Sequence, residues 1–66
     1  MRLENKNTRE SLESIVLFLT RSEASELRDA LATVLGSGRE ASHEHVLGAD
    51  LKKEITVVLY EENRPT

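Results

Sequence analysis

Five consecutive apolar residues, Ile15-Val16-Leu17-Phe18-Leu19, run without a break into Thr20-Arg21-Ser22-Glu23. No other stretch constrains the fold as much. Two of the five are β-branched and one is aromatic, the types that suit a pleated strand. The run is too short for a helix of its own. Drawn out as a strand over residues 14–19, it places Ile15, Leu17 and Leu19 on one face and Val16 and Phe18 on the other. Both faces are apolar, so both need cover. The four residues that follow have the T-x-x-E form of a capping box, in which the Thr20 hydroxyl accepts the Glu23 N–H and the Glu23 carboxylate accepts the Thr20 N–H. The junction predicts a buried strand passing directly into a capped helix.

The helix is expected from Arg21 to about Leu35. Ala24, Leu27, Leu31, Val34 and Leu35 form one apolar stripe at helical spacing. Gly36-Ser37-Gly38 ends it, with Gly36 as the left-handed C-cap. Residues 42–47 (SHEHVL) alternate weakly and read as a short polar strand suited to a sheet edge. Residues 54–60 (EITVVLY) read as a second strong strand, with Ile55, Val57 and Leu59 on one face and Thr56, Val58 and Tyr60 on the other. The stretch between them reads as a hairpin loop.

Residues 1–12 are polar and form an N-terminal arm, with a short strand near Arg2 or an extension of the first strand as alternatives. The domain proper spans residues 13–61, and residues 62–66 are a polar tail. The element order β-α-β-β predicts an α+β fold: a single three-stranded sheet of order 1-3-2 with one helix on one face. The strand–helix–strand unit is a right-handed crossover, and the polar strand lies at the edge.

One helix covers one face of such a sheet. Val16, Phe18, Val58 and Tyr60 then remain on the other. A contiguous apolar patch of this kind marks an interface, so the expected assembly is a homodimer closing these open faces. Folding of residues 1–12 over the patch is the monomeric alternative. Association also suits a chain of 66 residues with no cysteine, because scaffolds this small often need a partner, a metal or disulfides.

Nine basic residues are scattered against twelve acidic ones, for a formal charge of −3. Nucleic-acid binding wants clustered bases, so no nucleic-acid partner is expected. The longest apolar run is far below the ~20 residues of a membrane span, and no apolar signal segment follows the first residues. A cytoplasmic protein without a membrane partner is the expectation.

Candidate chemistry is sparse. His43 and His45 are two apart and share a strand face, so they can offer two imidazoles to a metal. A zinc site needs a further ligand, which the sequence does not fix. A small metal- or ligand-binding protein built on His43, His45 and Tyr60 is the alternative reading. No serine has a nucleophile-elbow context, and Gly36-Ser37-Gly38 lacks the lysine of a phosphate loop. No catalytic residue and no cofactor is assigned. The leading expectation is a non-enzymatic, homodimeric protein-interaction or regulatory module.

The element order resembles the oxalocrotonate tautomerases, which use an amino-terminal proline as base; here position 2 is Arg2 and the single proline is Pro65. It is also similar to the dodecins, which stack flavin on tryptophan, a residue this chain lacks. Leu19-Thr20-x-x-Glu23-Ala24-x-Glu26-Leu27-Arg28-Asp29-Ala30-Leu31, the histidine strand and Glu54-Ile55-Thr56-Val57 resemble short uncharacterised bacterial proteins of β-α-β-β order. That resemblance implies a fold and no activity.

Overall fold

The computed structural model describes residues 1–60. Residues 61–66, the last residue of the expected domain and the whole of the expected tail at 62–66, lie outside the described residues. The elements in chain order are β1 (Leu3–Glu4), β2 (Ser11–Leu12), α1 (Arg21–Ser37), β3 (His43–Leu47) and β4 (Glu54–Val58).

Helix α1 starts as its capping box dictates. Thr20 is extended at φ −69°, ψ 166°. Its hydroxyl accepts the Glu23 N–H at 3.1 Å, and Glu23 Oε1 accepts the Thr20 N–H at 2.9 Å. The helix runs one residue past Gly36, and the left-handed cap is Gly38 at φ 64°, two residues later than expected. The Ser37 hydroxyl donates to the Val34 carbonyl at 3.0 Å, which helps the last turn persist through Gly36.

β3 and β4 form the expected antiparallel hairpin, with Val46 opposite Ile55, His45 opposite Thr56 and His43 opposite Val58. Opposed residues share a face. Glu44, Val46, Ile55 and Val57 therefore lie on one side of the ribbon, and His43, His45, Thr56 and Val58 on the other. Helix α1 packs on this ribbon, chiefly along β3. Buried apolar residues are few among the described residues: Ala30, Val34 and Val46.

The three-stranded sheet is not formed. The fold is a small α+β arrangement of one helix and two separate two-stranded antiparallel sheets, β1-β2 and β3-β4. Residues 14–19 belong to neither and carry no regular secondary structure. Strand propensity does not by itself supply a partner edge: among the described residues, no backbone group of residues 14–19 bonds to β3 or β4. With residues 14–19 out of the sheet, no crossover and no 1-3-2 order exist.

The helix stripe is also rotated from expectation. Leu27, Ala30 and Val34 face the ribbon, while Leu31 and Leu35 turn outward, Leu35 being 70% exposed. The small Ala30, outside the expected stripe, is buried with Val34.

The N-terminal arm is a hairpin, with Leu3 opposite Leu12 and Glu4 opposite Ser11. Its turn is organised by Asn5, whose side-chain oxygen accepts the N–H groups of Asn7 and Thr8 at 2.9 and 3.0 Å. The hairpin reaches the outer side of β4 through Lys6, which pairs with Glu54 at 2.6 Å, and through Arg2, whose guanidinium lies 5.6 Å from the Tyr60 ring centroid.

Candidate interaction surface

The chain from Ile15 to Leu19 keeps the alternation of a strand without a sheet. Phe18 is 92% exposed and Val16 75%; Ile15 and Leu17 are about half exposed, and Leu19 is half-buried. Among the described residues, no backbone N–H or C=O of residues 13–19 bonds to another backbone group. Five apolar side chains thus sit on a segment whose backbone has no pairing among the described residues.

Beside this segment lies a groove of about 610 Å³, lined by residues 16–19 on one side and by Leu47, Ala49 and Ile55 on the other, with Glu23, Asp50, Lys53 and Glu54 at its polar positions. Its far wall is fixed by Glu23, whose second carboxylate oxygen accepts the Ala49 N–H at 2.8 Å. The N–H groups of Thr20 and Ala49 hold the Glu23 carboxyl below its ordinary value. Asp50 is likewise lowered, first by the N–H of Lys52, at 2.9 Å, and then by the Lys53 ammonium.

The expected interface set is divided in space. Val16 and Phe18 border this groove. Val58 and Tyr60 line a different recess of about 350 Å³, together with Arg2, Glu4, Lys6 and Arg9 of the N-terminal hairpin. Their expected common face requires one sheet, and the described residues form two separate ones.

His43 and His45 do share a face, their rings edge-to-face at 5.3 Å. His45 Nδ1 lies 2.8 Å from Glu54 Oε2 and 3.0 Å from Thr56 Oγ1, while His43 Nδ1 lies 3.3 Å from the Ala41 carbonyl oxygen. Among the described residues no group of three or more His, Asp or Glu side chains is placed to hold a metal ion. Glu54 is held below its ordinary pKa, first by the hydrogen bond from Lys6, then by the Lys6 charge and by His45. This Lys6–Glu54–His45 chain was invisible in the sequence, because its members are 48 and 9 positions apart with no motif between them.

No helix among the described residues is long and apolar enough to cross a membrane. No family model, curated protein or solved structure matches the chain.

Proposed function

We propose that the protein is a non-enzymatic interaction module that works as a homodimer, with Ile15–Leu19 and the adjoining groove at the centre of its contact surface. The observation that carries this reading is the exposure of Phe18 and Val16 beside an apolar groove. Large apolar side chains are worth about 1.5–3 kcal/mol each when buried, and a run of them left in water is the mark of an unfilled interface.

The total area supports it. A folded monomer of 7.4 kDa exposes about 4,200 Å² by the general size scaling. This chain exposes 5900 Å². Allowing residues 61–66 the full area of an extended chain, about 1,000 Å², still leaves an excess of roughly 700 Å². A standard interface buries about 800 Å² per partner.

The test is the mass in solution. Light scattering or sedimentation across the micromolar range is expected to report a dimer of the native chain and a monomer for Phe18→Asp, with the helical circular dichroism of the two alike. A native chain that stays monomeric throughout overturns the reading.

A further inference from the structure

We infer that two copies join by antiparallel pairing of residues 15–19 about a two-fold axis at Leu17, each segment lying along the other's groove. This rests on the self-association reading above and goes further by fixing the partner, the edge and the register.

The first observation is the backbone. Residues 13–19 make no backbone–backbone hydrogen bond among the described residues, and their side chains alternate in exposure as a strand's do. An unpaired, apolar, extended segment is a template for another strand. Strand addition to such an edge is a recurring recognition mode.

The second is self-complementarity. Residues 14–20 carry no charge, so a second copy places no like charges opposite one another despite a net charge of −3 on each chain. Opposed residues of an antiparallel pair share a face. The axis must therefore pass through a residue, or inward-facing side chains would oppose outward-facing ones. An axis at Val16 sets Leu19 against Glu13, and an axis at Phe18 sets Ile15 against Arg21. Only Leu17 gives every apolar residue an apolar partner: Ile15 with Leu19, Leu17 with itself, and Val16 with Phe18, an aromatic–β-branched pair of the favourable kind.

The third concerns what else is available to cover the segment. Within this sequence, residues 61–66 (EENRPT) contain no apolar side chain apart from the proline, so they offer no hydrophobic cover. A second copy brings one strand of matching length, and the groove beside residues 16–19 has room for it against Leu47 and Ile55. The surplus of roughly 700 Å² is close to what one partner of a standard dimer buries.

The chain has no cysteine, so a single introduced cysteine can be spin-labelled without background. Strand pairing about Leu17 puts the two copies of residue 17 about 5 Å apart. The two copies of residue 15 are then about 14 Å apart and of residue 14 about 20 Å, from a rise of ~3.3 Å per residue. Labels at Leu17→Cys, Ile15→Cys and Ser14→Cys are expected to show separations increasing in that order, with the native mass measured alongside. Ser14→Cys, outside the apolar run, carries the test where Leu17→Cys perturbs folding. A dimer in which the separations do not increase away from residue 17 overturns the strand pairing and leaves the dimer standing. A monomeric native chain overturns both.

Discussion

Glu23 in the first turn of α1 accepts the backbone N–H of Ala49, 26 residues away, at 2.8 Å, with the same carboxylate that caps Thr20. One side chain thus joins the helix start to the β3-β4 loop and sets one wall of the groove.

Removing that carboxylate is expected to loosen the loop as well as the helix. Glu23→Ala should raise amide exchange at Ala49, while Glu23→Gln, which keeps a single oxygen acceptor, should fall between. Thr20→Ala removes the other half of the cap and should cost about 1 kcal/mol, or 4–8 °C in Tm for a domain of about this size. The sign with pH follows from the lowered carboxyl. The Glu23 contribution is complete above the ordinary glutamate value of about 4.3 and is lost as pH falls through the lower value of the folded state. Ala49 exchange that is indifferent to Glu23→Ala would count against the link.

The rotated helix stripe separates two neighbouring residues. Val34 is 5% exposed and Leu35 70%. Val34→Ala should destabilise by about 2 kcal/mol. Leu35→Ala, a larger truncation, should stay within about 0.5 kcal/mol. Paired thermal melts check this; equal losses would return Leu35 to the core.

What the sequence revealed was whatever is decided locally. Thr20 and Glu23 announce the helix start because both cap bonds lie within four residues. The alternation of EITVV and the loop before it announce the hairpin, which the structure pairs with Val46 opposite Ile55. The fate of Ile15–Leu19 was not legible. Its β-propensity is real, but propensity cannot supply a neighbouring edge, and among the described residues none meets its backbone. The helix stripe was legible only in part. Ala30 and Val34 are buried while Leu31 and Leu35 are exposed, because the side a helix buries is set by the ribbon it meets as well as by its own apolar spacing. Of the four residues expected at the interface, the pair on the segment borders the groove. Val58 and Tyr60 line the recess beside the N-terminal hairpin, whose tie from Lys6 to Glu54 carries no local signal in the sequence.

That hairpin is strapped down by charge. Lys6 bonds Glu54 at 2.6 Å while His45 lies 2.8 Å from the other oxygen. Lys6→Ala should raise the Glu54 titration toward the ordinary glutamate value, since Lys6 is the main cause of its lowering. Carbon-detected titration of the Glu54 carboxyl reads this directly. The strap is complete above the ordinary glutamate range and releases as pH falls through the lower folded value. Tryptic cleavage after Arg9 should quicken in Lys6→Ala and in high salt, which screens exposed pairs, with little change in Tm. An unchanged Glu54 titration would remove Lys6 from the strap.

If the exposed run is covered by a second copy, stability itself must depend on concentration. Association that favours the folded dimer contributes about 2.7 kcal/mol for each hundredfold rise in chain concentration. Spread over the unfolding entropy of two 66-residue chains, that is about 10 °C in Tm. The native chain is expected to follow this slope. Phe18→Asp, which places a carboxylate on the most exposed side chain of the run, should melt at one temperature at every concentration. Leu35→Ala, altering an exposed side chain outside the proposed seam, should keep the native slope. A native Tm that does not move over a hundredfold range is incompatible with the dimer.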